Sequence, residues 1–124
     1  LVPPVLSTVS PTPTSLGNAR FLVQQYYDDI NQQKYMNAYG LLAPTFQQGL
    51  PYDSFVNGYA QTVRDDITFT NVQTRPDGTV DVVVTINATE RVTGGVANNR
   101  YTWESIVAQQ DGAWRILSAT SKKL

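Results

Sequence analysis

Aspartate, glutamate and tyrosine carry most of the chemistry open to this 124-residue chain, because it contains no histidine and no cysteine. A Ser-His-Asp triad, a Cys-His pair and an imidazole-based metal site therefore cannot be assembled from it. Neither a disulfide framework nor thiol chemistry is available. Two acid pairs stand out, Asp28-Asp29 and Asp65-Asp66. Successive residues on a helix diverge by about 100 degrees, so Asp28 and Asp29 do not converge on one proton or metal. Asp65 and Asp66, if placed in a strand, face opposite ways. The spacing reads both pairs as solvated surface, with a general-base role for Asp65 or Asp66 as the alternative. Gly94-Gly95 lacks the spacing of a phosphate loop and reads as a turn. Asn87-Ala88-Thr89 matches a glycosylation sequon but lies mid-strand and reads as a chance match. No metal site and no cofactor are expected.

The aromatic residues are the second group with chemical capacity. Two readings of them stay open. One is plain core filling. The other is an aromatic-lined cleft in which tyrosine hydroxyls orient a small, uncharged, apolar ligand. On that reading the lining candidates are Tyr26, Tyr27, Tyr39, Phe46, Phe55, Tyr59, Trp103 and Trp114. Spacing alone does not say which tyrosines face inward.

The elements that would position these groups follow from periodicity. Ala19, Val23, Tyr26, Tyr27 and Ile30 fall on one side of a helix, extended backwards by Leu16 and bordered by Leu22. This helix is expected to start between Ser15 and Asn18 and to run to about Gln33; Phe21 points away from its stripe. Tyr35, Ala38, Tyr39 and Leu42 mark a second helix stopped by Pro44. The stretch from Ala43 to Pro51 is expected to be irregular, with an extended piece around Thr45 to Gln47. A third helix covers roughly Tyr52 to Thr62, with Asp53 in its first turn. From Val63 the period becomes two. Ile67 and Phe69 alternate with threonines, and Val80, Val82, Val84, Ile86 and Ala88 form a half-buried strand. Pro76-Asp77-Gly78 is a turn, and Gly94-Gly95 opens a connection expected to continue through Asn98-Asn99. Tyr101, Trp103 and Val107 mark a third strand. Asp111-Gly112 is a hairpin signal, followed by Trp114, Ile116 and Ser118 facing inward on the last strand. Helices grouped before a meander of long strands predict an α+β fold: three N-terminal helices packed on a curved antiparallel sheet.

Composition bounds the partners. The length fits one domain, expected over residues 16–124. Residues 1–15 contain four prolines among serines and threonines and are expected to be a disordered or extended linker. The chain starts at Leu1, without an initiator Met, so an upstream segment, including any membrane anchor, is expected to be missing. No apolar run approaches a membrane span. A net charge of −1 with no basic patch gives no reason to expect nucleic acid as a partner. Charged residues make up 15%, against about 25% in ordinary soluble domains, a mix that suits an exported, extracytoplasmic domain.

The order of elements resembles the nuclear transport factor 2-like superfamily, the cone-shaped α+β roll shared with ketosteroid isomerases and polyketide cyclases. The residues that carry the resemblance are the run Ala19 to Tyr27 opening the long helix, Tyr35 to Tyr39 on the second, Tyr52 to Phe55 on the third, and Asp111 to Ile116 as the closing hairpin. Among its members the chain is most similar to the extracytoplasmic, non-enzymatic ones. In catalytic members a carboxylate base usually follows the second helix; here that place reads Leu41 to Phe46, without an acid. The isomerase site also pairs a tyrosine with a protonated aspartate. The resemblance offers Tyr26 or Tyr27 for the tyrosine, and Tyr27 and Asp65 as the residues to test. It implies a binding or assembly domain, not an enzyme, with a homodimer through the sheet face. The alternative is an isomerase- or cyclase-like enzyme or carrier.

Overall fold

The computed structural model describes residues 11–124. Among them helices α1 (Pro11–Asn31), α2 (Tyr35–Tyr39), α3 (Pro44–Gly49) and α4 (Tyr52–Gly58) precede strands β1 (Thr62–Thr74), β2 (Val80–Val92), β3 (Gly95–Gln110) and β4 (Ala113–Lys123). The strands form one antiparallel sheet in the order β1-β2-β3-β4. The α+β arrangement predicted from the sequence is the one observed. Of the expected linker over residues 1–15, the first ten lie outside the described residues, and the remaining five belong to α1. Pro11 and Pro13 fit there because the amides of a first helical turn have no intrahelical acceptor.

The core forms where α1 meets the sheet. Ala19, Leu22, Val23, Tyr26, Tyr27 and Ile30 are buried, the expected stripe, while Phe21 is 69% exposed. Val80, Val82 and Val84 of β2, Val107 of β3 and Ile116 of β4 face the helices and are fully buried. The pairing carries register shifts at Thr62/Arg64 and Phe69/Asn71 in β1 and, opposite Ile106/Val107 of β3, in β4. Such bulges bend a strand and increase its twist, which curves the sheet around the helices.

Four local expectations are corrected. The second helix closes at Gly40, short of Leu42. Leu42 instead forms a parallel bridge with Ile116. The Ala43 N–H donates to Ile116 O (2.8 Å) and the Ile116 N–H to Leu41 O (2.9 Å), so this segment is held as a short fifth strand beside β4. Pro44 does not end a helix; it begins α3, in place of the extended piece expected over Thr45 to Gln47. A proline at the first helical position loses no hydrogen bond and comes with its φ already set. The third helix, α4, ends at Gly58, and Thr62 already belongs to β1. Likewise β3 begins at Gly95, so Asn98 and Asn99 pair with β2 and do not form a connection.

The last strand shows what a bulge does to phase. Ile106 pairs with Ser118 and Val107 with Ile116, which leaves Leu117 as the extra residue. The inward set therefore moves from Trp114 and Ile116 to Ala119 and Ser121. Ser118, expected to face inward, is exposed. Turn chemistry matches the sequence elsewhere. Gly78 (φ 87°) follows an Arg75–Gly78 turn, and Asp111 (φ 50°) with Gly112 (φ 82°) closes the last hairpin with the two positive φ values of a type I′ turn.

α1 ends in a Schellman arrangement. The Lys34 N–H donates to Asp29 O (2.8 Å) and the Gln33 N–H to Ile30 O (3.0 Å). Gln33 sits at φ 61°, the position that glycine usually fills. A left-handed conformation costs an L-residue about 1–2 kcal/mol, part of which a glycine gives back through the entropy of its unfolded chain. Gln33→Gly is expected to raise the unfolding free energy by about 0.5–1 kcal/mol. Urea unfolding checks this, and a lower midpoint would show that the Gln33 side chain holds the turn in some other way.

Candidate functional site

Beyond the filled half of the core the sheet and helices form a half-open cleft of about 390 Å³. All the elements except α2 contribute to its lining. α1 supplies Tyr26 and Tyr27. Leu42, Phe46 and Leu50 form one flank, and Phe55 and Tyr59 the next. The concave face of the sheet supplies Asp65 from β1, Ile86, Ala88 and Glu90 from β2, Tyr101 and Trp103 from β3, and Ala119 and Ser121 from β4.

The aromatic rings brace one another. Trp103 stacks on Tyr26 (5.8 Å between centroids) and meets Tyr27 edge-on (5.2 Å). Phe55 meets Tyr59 edge-on at 5.4 Å. These offset and T-shaped contacts match the ring quadrupoles and keep the wall in one conformation. The Tyr26 and Tyr59 hydroxyls are 2.7 Å apart. Two hydroxyls carry two protons, and their mutual bond uses one, so one O–H donor remains for another acceptor. Burial first, then the neighbouring tyrosine hydroxyls, push Tyr26 well above the usual tyrosine range, and burial likewise brings Tyr59 to about 12. Burial also raises Tyr27. All three remain protonated at neutral pH.

Two carboxylates face this wall. Asp65 is only 6% exposed. Its backbone N–H donates to Asn31 Oδ1 (2.8 Å), and its carbonyl accepts from Asn31 Nδ2 (2.8 Å). The Asn31 amide thus mimics a neighbouring strand at the β1 edge and fixes the backbone from which Asp65 projects. Burial, followed by repulsion from Glu90 and Asp66, pushes the Asp65 carboxyl up to about 6. Glu90 is held by the Asn99 amide (2.7 Å) and by the Tyr101 hydroxyl, which donates to both carboxylate oxygens at 3.1 Å. Among the described residues no group of three or more His, Cys, Asp or Glu side chains gathers as a metal cluster. Asp65 and Glu90 are the acids that could meet a bound cation.

Of the aromatic residues expected to line a cleft, Tyr26, Tyr27, Phe46, Phe55, Tyr59 and Trp103 do so, and Tyr39 and Trp114 do not. Tyr39 lies behind the wall, donating to Leu50 O (2.7 Å) and packing on Phe55. Trp114 pairs with Gln109 near the last turn, on the far side of the β4 bulge from Ala119 and Ser121. The surface reading of the acid pairs is corrected: Asp29 and Asp65 are both buried, while Asp66 is exposed and bonded to Arg64 (2.6 Å). Sequence reasoning names Asp65 only as the alternative base and misses Glu90 and Tyr101 as lining residues. The signal is present, since Asp65 is in phase with Ile67 and Phe69, Glu90 with Ala88, and Tyr101 with Trp103.

Comparison with known proteins adds the fold. No protein-family model matches the chain. No curated protein matches it either. A ketosteroid isomerase-like protein from Erwinia carotovora atroseptica has a similar structure, with a TM-score of 0.72 and 15% identity over 89% of this chain and 96% of that one. Aln2 from a Streptomyces species is similar at a TM-score of 0.67 and 12% identity, over 91% of this chain and 93% of that one. The chain therefore has the α+β roll fold of ketosteroid isomerase-like proteins.

Asp65 makes a pH prediction. Its folded-state pKa of about 6 lies above the ordinary 3.8, so the fold holds its proton more tightly than the unfolded chain does. The stability this contributes is fully present below about 3.8 and is lost as pH rises through about 6. Asp65→Asn removes that dependence. Urea midpoints at pH 4 and pH 8 are expected to show the variant gaining on the wild type between the two, with a crossover in favour of the variant at pH 8. A constant difference between the two proteins would mean that Asp65 does not titrate there.

Proposed function

We propose that this chain is a small-molecule-binding domain. Its ligand enters the cleft between helices and sheet and lays an apolar body against Phe55, Ile86 and Trp103. Its polar end meets Asp65, Glu90 and the tyrosine hydroxyls. The observation that carries the reading is the cavity itself. A half-open cleft of about 390 Å³ falls in the range of roughly 300–1,000 Å³ of ligand pockets. The aromatic lining with a few convergent polar groups has the make-up of such a site.

Binding without turnover is the role we assign first. The stretch from Leu41 to Phe46 has no acid, and among the described lining residues there is no cation to stabilise a developing oxyanion. We place the domain outside the cytoplasm on composition, the low share of charged residues and the Pro/Ser/Thr-rich start. Self-association through the outer sheet face is the competing role. Half-buried Val83 and Ile106 lie on that face among exposed Asp66, Thr68, Asn87 and Glu104. A stable interface usually has a larger apolar centre.

One observation favours a second reading, proton transfer. Asp65 titrates near 6 and lines the same cavity as the Tyr26–Tyr59 pair. A base and an O–H donor facing one space suit removal of a proton next to a carbonyl. A solved structure of the same fold is named as ketosteroid isomerase-like. Conversion of a β,γ-unsaturated ketone to its conjugated isomer, lost in Asp65→Asn, would favour turnover over binding alone.

The binding reading is tested by filling the cleft. Ser121 lines the cavity yet is exposed, so a larger side chain there enters the mouth without crowding the core. A ligand that binds only the folded state raises its Tm. In a thermal-shift series of apolar and amphiphilic compounds, the wild type is expected to gain several degrees at saturation. Ser121→Phe should keep its own Tm within about 3 °C and lose the ligand response. No shift with any compound in the wild type would sink the reading.

A further inference from the structure

We infer that the cleft selects a small organic cation, an amine or quaternary ammonium group seated between Asp65 and Glu90 with its apolar body among the aromatic rings. The inference rests on the binding reading above and names the ligand class. Its first support is charge. The described lining residues include two carboxylates and no lysine or arginine, and residues 1–14 contain neither in their sequence. The nearby cations are engaged elsewhere. The Arg20 guanidinium lies 4.3 Å from the centre of the Phe69 ring, Arg64 is bonded to Asp66, and Arg91 donates to Ala60 O (3.1 Å). Lys123 pairs with Tyr101 at the end of β4, but it is exposed and does not line the cavity.

The second support is an unmet acceptor. Asp65 is more than nine-tenths buried, and among the described residues its carboxylate oxygens accept no hydrogen bond. A carboxylate that has lost most of its water and has no protein partner favours taking up a proton or meeting a cation. An anionic ligand would add a third negative charge, and a neutral one could offer Asp65 a hydrogen bond but would leave the two negative charges uncompensated. An ammonium group satisfies it and is drawn at the same time to the faces of tyrosine and tryptophan rings. Glu90 is already oriented by Asn99 and Tyr101, with lone pairs to spare.

The groups that face Asp65 are Glu90 from β2, Tyr101 from β3, and the tyrosines Tyr26, Tyr27 and Tyr59. The tyrosines, all raised, stay protonated between pH 5 and pH 8, the window in which Asp65 changes charge. Binding of a cation is therefore coupled to release of the Asp65 proton, and weakens as pH falls through about 6.

The test uses two probes of one shape. Phenyltrimethylammonium and tert-butylbenzene differ in charge and scarcely in volume. Calorimetric titration of the whole chain at pH 8 is expected to show the cation binding at least tenfold more tightly, with the preference reduced at pH 5. Asp65→Asn and Glu90→Gln are each expected to cut the preference below about threefold while retaining the neutral probe. Equal or tighter binding of tert-butylbenzene by the wild type would overturn the charge selection and leave the binding reading standing. Binding of neither probe would overturn both. Stabilisation by Ca²⁺ or Mg²⁺ with no response to phenyltrimethylammonium would assign the two acids to a metal and also overturn the inference.

Discussion

A curved sheet wrapped around one helix creates both the core and the cleft. The bulges in β1 and at the β3–β4 pairing bend the sheet, and its concave face is more than α1 covers. Along β2 the division falls within a single strand. Val80, Val82 and Val84 are fully buried, while Ile86, Ala88 and Glu90 line the cavity. The same alternation that makes a core at one end of the strand makes a binding surface at the other. The short helices α3 and α4 close the flank of that open end without filling it.

The electrostatics follow from this geometry. Asp65 lies on the inward phase of an edge strand, at the point where the helices stop excluding solvent completely. Asn31 anchors its backbone from the end of α1, so the helix that fills the core also sets the position of the acid. Desolvation then raises the carboxyl and the surrounding phenols together, and no cation among the described lining residues offsets the two acids. The cleft therefore combines a hydrophobic wall, protonated hydroxyl donors and paired acceptors, a set that can distinguish ligands by charge as well as by shape.

Much of this is legible in residue order. The stripe of α1, the alternation of β2 and the Asp111-Gly112 turn are local patterns whose periods match their elements. Most of the misreadings share one cause, a partner distant in sequence. Leu42 reads as helical by its spacing from Tyr35 and Ala38, but Ile116 draws it into a bridge. Pro44 reads as a stop, although a proline serves equally at a helix start, and the chain around it decides which. Ser118 reads as inward because the bulge at Leu117 arises only from pairing with β3. Tyr39 and Trp114 are aromatic like the residues that line the cleft, and only packing sorts them.

Residue order by itself determined the absence of thiol and imidazole chemistry, the grouping of helices before four strands, and the inward phase of α1 and β2. These are properties of composition and of short-range period. Tertiary structure alone decided that Asp65 is buried, that it shares a space with Glu90, and that the aromatic wall stops short of filling the sheet. Asp65 and Glu90 are 25 residues apart in the chain, and antiparallel pairing with the curvature of the sheet brings them to one cavity. The pKa of an acid depends on the water it loses and the charges it meets, and neither is encoded within a local window.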